Sequence, residues 1–190
     1  MGVAAALLLN SIVWYVYLAF RGWLTFPDGL PLELCDATLC ITVIAVLTLN
    51  RTAFDLSYYG ALAGTSMALL TPDLWEKFPS FSTVQFFIAH GFVVVAVLYL
   101  VWSGEARPRP RSVWRAMVAL NLFAALAGAF DLLLGTNYMY LRAKPENASL
   151  LDYFGPWPWY IVVSELFAFG VFTLLYVPFW ATSSRTGQAG

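Results

Sequence analysis

Apolar residues in this chain run in long unbroken stretches, and the polar ones are largely confined to the breaks between them. Six such runs stand out: Val3–Phe20, Leu32–Leu49, Ala53–Leu70, Thr83–Trp102, Val113–Leu134 and Trp157–Trp180. Each reaches or approaches the ~20 residues a helix needs to cross a hydrocarbon core about 30 Å thick. None alternates with the period of two that marks a barrel strand, and lipid offers no partners to free backbone groups, so helices are the economical answer. The pattern predicts an all-α, polytopic membrane helix bundle of six transmembrane spans. Residues 1–182 form one transmembrane domain in this reading, and 183–190 a short polar tail.

Composition agrees with the pattern. Of 190 residues 61% are hydrophobic and only 11% charged, with a mean hydropathy of +0.72, against roughly 25% charged in a soluble domain. The expected location is the cell membrane, most simply a bacterial plasma membrane. A net charge of −1 with thinly spread basic residues gives no case for nucleic acid. The first run lacks the basic start and small-residue cleavage site of a signal peptide and is kept as a span. Arg51, Arg107, Arg109, Arg111, Arg115 and Arg185 fall on one face of the membrane if the spans alternate, and Arg21, Lys77, Arg142 and Lys144 on the other. The positive-inside rule then puts the Arg107–Arg111 loop and both termini in the cytoplasm. That loop reads as a topology signal, and the cytoplasmic half as nearly featureless apart from Asn121.

Polar side chains inside the runs are few, and in a membrane such residues face the bundle interior and mark sites. Glu33, Cys35, Asp36 and Thr38 open the second span just after Pro31, a residue favoured in a helix's first turn. Gln85 and His90, the only histidine, lie on the fourth span, Asp131 near the outer end of the fifth, and Ser164 and Glu165 on the sixth. His90 and Glu165 each lie roughly 10 Å below the outer end of their runs. The expectation is one polar cavity in the outer half holding Cys35, Asp36, His90, Asp131 and Glu165. At about 100° per residue Glu33, Asp36 and Cys40 share a face that Cys35 does not. Any partner of Cys35 therefore comes from another helix. Five positions apart on one helix, Cys35 and Cys40 diverge too far for a disulfide. One His and two Cys make no zinc site, and no cofactor is expected.

A cysteine, a histidine and an acid at one depth suit nucleophilic acyl chemistry: the first turn of a helix favours a thiolate, an imidazole takes the proton, and a carboxylate fixes the ring's tautomer. Each residue also has a plain structural use. A lone Cys is commonly a small buried hydrophobe, His90 can tie two helices through a carboxylate, and Glu33 can sit at a helix N-terminus. The connection Gly135–Pro158 is long for a compact membrane protein and reads as a lid or binding loop. A weak internal repeat pairs Arg51…Ala61-Leu62-Ala63-Gly64…Leu69-Leu70 with Arg115…Ala125-Leu126-Ala127-Gly128…Leu133-Leu134. Its small-residue strips suggest close helix contact.

Four blocks carry a resemblance: Leu30-Pro31-Leu32-Glu33-Leu34-Cys35; His90-Gly91 after Gln85-Phe86-Phe87; Leu133-Leu134-Gly135-Thr136-Asn137-Tyr138-Met139-Tyr140-Leu141; and Gly155-Pro156-Trp157-Pro158-Trp159-Tyr160. Through them the chain resembles the YwaF-type bacterial integral membrane proteins. These are similar to eukaryotic transmembrane protein 164, an acyltransferase that places polyunsaturated chains into ether phospholipids. The resemblance implies that Cys35 is the nucleophile and His90 its base. It departs in two ways: such proteins usually have one more span ahead of the cysteine helix, and a polar residue, often His, where Glu33 stands. The resulting expectation is a membrane-embedded acyltransferase or acyl-ester hydrolase acting on phospholipid acyl chains. Cys35 and His90 would react, Asp131 or Glu165 would orient His90, and Glu33, Asp36, Gln85, Asn137 and Tyr138 would contact the substrate, a membrane lipid. Asn137 and Tyr138 are the expected donors to the oxyanion or head group. The alternative is a transporter or receptor for a small polar solute in the same cavity. Oligomeric state is open.

Overall fold

The computed structural model of the chain describes residues 2–186, and all of its regular structure there is helical. The helices are α1 (Gly2–Arg21), α2 (Leu34–Thr48), α3 (Arg51–Tyr59), α4 (Ser66–Leu70), α5 (Phe81–Trp102), α6 (Ser112–Leu134) and α7 (Trp159–Thr186). A π-helical segment, Gly60–Thr65, joins α3 to α4 into one bent passage. The six passages coincide with the six apolar runs. Four of them, α1, α5, α6 and α7, are long and apolar enough to cross a membrane unaided, and α2 is a shorter apolar helix. α7 continues through Thr186, into the stretch read as a polar tail, and residues 187–190 lie outside the described residues.

Local chemistry sets the boundaries. Leu49 takes a left-handed conformation (φ 52°) that closes α2, and the next residue, Asn50, caps α3 by accepting the N–H groups of Thr52 and Ala53. Ser80 caps α5 by accepting from Thr83, as short polar side chains do for the unpaired donors of a first turn. Gly135 (φ 78°) ends α6 in the left-handed cap that glycine adopts at least cost. Pro31 does not begin α2. The helix starts at Leu34, and Glu33 stands ahead of it as the N-cap residue.

α2 packs on α3 and α5, α1 on α5 and α2, α3 on α6, and α6 on α7. The buried apolar core includes Leu7, Val43, Phe54, Tyr59, Val97, Met117 and Phe172. All of these lie toward the end of the bundle that carries the Arg107–Arg111 loop. That end is not featureless. Asp55, fully buried, receives Arg109 at 2.7 Å and Arg115 at 3.0 Å, and Tyr59 shares a 2.7 Å hydrogen bond with Ser112. Two basic residues expected only to orient the chain thus neutralise a buried acid, which an apolar setting requires of any charge it holds. The strongest packing sits at this end, and most of the candidate chemistry at the other.

Candidate functional site

At the opposite end three connections, residues 22–33, 71–80 and 135–158, fold over one another. Its centre is the tripeptide Tyr138–Tyr140, in which Met139 (φ 54°) and Tyr140 (φ 56°) are both left-handed. For bulky residues such a conformation costs of order 1–3 kcal/mol each and persists only where the surroundings over-determine it. Here they do. Asp131 Oδ1 accepts the Tyr138 N–H (2.8 Å), the Tyr138 hydroxyl donates to the Pro27 carbonyl (2.6 Å), and the Met139 N–H donates to Glu33 Oε2 (3.2 Å). The Tyr140 hydroxyl donates to Asp73 Oδ2 (2.7 Å), and its carbonyl accepts from the Tyr160 hydroxyl. Burial, and then the Asp73 carboxylate, push the Tyr140 phenol up, so it stays protonated and donating. A second clasp lies beside this cap. Glu76 pairs with Arg21 at 3.2 Å and accepts from Ser82 at 2.7 Å. The Ser82 hydroxyl is the main cause holding the Glu76 carboxyl below its usual range. The Arg21 guanidinium lies over the Trp23 ring, 4.3 Å from its centroid.

Beneath the cap are Cys35, in the first turn of α2, and His90, in the first half of α5, on helices that pack together. Cys35 is partly buried and His90 is 8% exposed. His90 Nδ1 lies 2.8 Å from the Phe86 carbonyl one turn earlier, and the Phe86 ring stacks on the imidazole with centroids 4.0 Å apart. A carbonyl only accepts, so Nδ1 carries the hydrogen and Nε2 carries a lone pair. That Nε2 is buried with no hydrogen-bond partner. No hydrogen bond joins it to Cys35 among the described residues. Glu33 and Asp36 flank Cys35 in sequence, and Glu33 Oε2 accepts the Met139 N–H of the cap.

Among the described residues no hydrogen bond or ion pair joins His90 to Asp131 or Glu165, so the expected acid–histidine pairing is not formed. Asp131, fully buried, accepts from the Thr136 hydroxyl (2.7 Å) and from Tyr138, which makes it the anchor of the loop. Glu165 accepts from Asn121 Nδ2 and so ties α7 to α6. A backbone carbonyl does for His90 what neither carboxylate does. Asn137 and Tyr138 are likewise committed to scaffolding. The Asn137 amide donates to Ala143 and accepts from the N–H groups of Arg142 and Ala143, and the Tyr138 hydroxyl is spent on Pro27. Asp36 lies in the first turn of α2, and Gln85 is buried on α5. Residues that the sequence did not single out are Tyr140, Asp73 and Phe86. The last acts through its carbonyl, which no side-chain pattern reveals.

The sequence profile of the TMEM164 family matches residues 1–176. The chain belongs to this family. A relative of this TMEM164 family member is an uncharacterized protein of Treponema pallidum (strain Nichols), 26% identical over 125 residues, which are 66% of this chain and 51% of the relative. The chain thus spans about half the length of the curated relative it matches. No solved structure matches it. As a TMEM164 family member with six helical passages it is a multi-pass membrane protein.

Proposed function

We propose that this protein transfers or hydrolyses phospholipid acyl chains, with Cys35 as nucleophile and His90 as base. The observation that carries the reading is the state of His90: one nitrogen fixed on the Phe86 carbonyl, the other buried, unpartnered and holding a lone pair. A buried polar atom left unsatisfied costs about 1–3 kcal/mol, and one on a tautomerically fixed imidazole is what a general base needs. The resemblance to the transmembrane protein 164 acyltransferase supports the same assignment.

In the first half-reaction the Cys35 thiol gives its proton to His90 Nε2 as Sγ attacks the ester carbonyl carbon. The tetrahedral oxyanion collapses, the C–O bond to glycerol breaks, and the departing alkoxide takes the proton from His90. The products are an acyl thioester on Cys35 and a lysophospholipid. In the second half a hydroxyl gives its proton to His90, attacks the thioester carbonyl, and restores the thiol. A lipid hydroxyl makes the reaction a transfer, and water makes it a hydrolysis. With Asn137 and Tyr138 engaged elsewhere, the oxyanion falls to the N–H groups of Leu34 and Cys35 in the first turn of α2, since the Asp36 N–H donates to the Glu33 carbonyl and the Glu33 side chain makes no cap.

Intact-protein mass spectrometry after incubation with phospholipid tests this. Wild type is expected to carry an acyl adduct that hydroxylamine removes, absent in Cys35→Ala, while His90→Ala forms it at least about a hundredfold more slowly, the usual share of a positioned base. An unmodified wild type, with the lipid intact and Cys35→Ala indistinguishable from it, would sink the nucleophile and favour the alternative of a protein that binds a small polar solute.

A further inference from the structure

The two small-residue strips of the internal repeat are used differently. In the first unit the strip is filled by a helix: a Cβ on Gly60 would lie 2.8 Å from Thr38 Oγ1, and one on Gly64 would lie 3.6 Å from Leu34, both residues of α2. In the second unit no helix among the described residues covers it. A Cβ on Gly128 would meet only Leu141, at 3.5 Å. What remains is a groove of about 470 Å³ with Ala125, Gly128, Ala129 and Leu132 as its floor and Leu141, Arg142 and Trp157 as its upper rim. That volume is within the ~300–1,000 Å³ range of small-molecule sites. Around it α6 shows its lipid-facing side, with Leu122, Leu126, Leu132 and Leu133 all exposed.

The rim supplies a charge. Arg142 Nη1 donates to the carbonyls of Asp131 (3.2 Å) and Thr136 (3.1 Å), which fixes the guanidinium over the upper end of α6. No carboxylate pairs with it among the described residues. Its other N–H groups are available to a bidentate oxyanion acceptor, for which a fixed, planar guanidinium is well suited. Trp157, exposed, donates its indole N–H to the Leu141 carbonyl at 3.1 Å and stands where aromatic rings favour the membrane–water interface.

We infer that this groove binds one membrane phospholipid, its phosphate on Arg142 and an acyl chain lying along Ala125, Gly128 and Ala129. From Ala125 to Leu132 the floor runs about 10 Å along the helix axis, enough for the upper part of a chain. The apolar floor excludes a soluble phosphate as the natural occupant, and the unpaired cation at the rim distinguishes the groove from plain lipid-facing surface. None of its lining residues is a candidate for acyl chemistry, so the site stands whether or not Cys35 reacts. It is joined to that region through the Tyr138–Arg142 segment, in which Met139 donates to Glu33 and Arg142 forms the rim.

Native mass spectrometry of the full chain in detergent, titrated with phosphatidylglycerol, tests the inference. Wild type is expected to retain one lipid saturably. Arg142→Gln should weaken retention by about tenfold, the loss of one charge-assisted contact. Ala129→Phe, which fills the floor from a helix-compatible position, should abolish it, and Leu174→Phe on the exposed face of α7 should leave it unchanged. Circular dichroism spectra matching wild type confirm that each variant is folded, and Gly128→Leu replaces Ala129→Phe if the latter is not. Retention that is unsaturable, or equal in wild type, Arg142→Gln and the filled variant, would overturn the site, as would a dimer interface protecting the groove.

Discussion

Asp131 shows how a residue's level in the membrane differs from its use. Its position near the outer end of a span placed it beside His90, yet its carboxylate meets Thr136 and Tyr138, five and seven positions later, in a loop with no periodicity to reveal them. Depth could be read from helix rise, but partners across a non-repeating loop could not. The same limit hid Phe86, whose carbonyl fixes His90 from within the same helix, and Asp55, whose partners are basic residues already explained by topology. The anchor role gives a prediction that separates it from catalysis. Asp131→Ala leaves the Tyr138 N–H and Thr136 hydroxyl without their buried acceptor and is expected to cost about 2 kcal/mol or more. Asp131→Asn keeps an oxygen toward both donors and should cost under about 1 kcal/mol. Thermal unfolding in detergent, with tryptic cleavage after Arg142 as the report on the loop, checks both. A stable Asp131→Ala protein with a tight loop would mean the carboxylate is not the anchor.

Among the elements, the third passage departs most from expectation. Its apolar run reads as one uninterrupted helix, but Gly60–Thr65 is π-helical, an insertion of the kind that appears where a helix is bent around a neighbour. The small residues were legible as a contact strip, and the identity of the contacting helix was not. α2 lies against it with Thr38 opposite Gly60. A Cβ at position 60 would come within 2.8 Å of Thr38 Oγ1 and 2.9 Å of Cγ2, so Gly60→Ala is expected to destabilise the protein by about 1–3 kcal/mol through forced separation of α2. Thr38→Ala in the same chain removes both close atoms and should recover about 1 kcal/mol of that, a non-additivity typical of residues in contact. Gly170→Ala, where a Cβ meets nothing within 4 Å, should be neutral or slightly stabilising, as glycine in a helix interior costs roughly 0.5–1 kcal/mol relative to alanine. Equal losses at positions 60 and 170 would mean that the contact with Thr38 does not set the cost.

For the molecule as a whole, packing and chemistry occupy opposite ends. The core around Phe54, Tyr59 and Val97 and the Asp55 cluster brace the end with the arginine loop, which leaves the other end free to carry a strained loop cap and an unsatisfied imidazole. Strain of that kind needs surroundings that over-determine it, and the cap's own hydrogen bonds to Asp131, Glu33 and Asp73 supply them. The division was partly legible, since the six runs follow from hydropathy and the helix rise sets Cys35 and His90 toward the end of the bundle away from the arginine loop. The brace was not, because Asp55 and its arginines are far apart in sequence. Sidedness decides which leaflet the site addresses. The arginine excess predicts that the Gly135–Pro158 loop is outside and the Ser103–Arg111 loop inside. In a Cys35→Ala, Cys40→Ala background, Glu146→Cys and Glu105→Cys place one thiol in each loop at an exposed position. A membrane-impermeant maleimide is expected to label position 146 in intact cells and position 105 only after permeabilisation. The reverse pattern would turn the bundle over. His90, Cys35 and the Arg142 groove would then draw on the cytoplasmic leaflet, and Asp55 with its arginines would brace the external end.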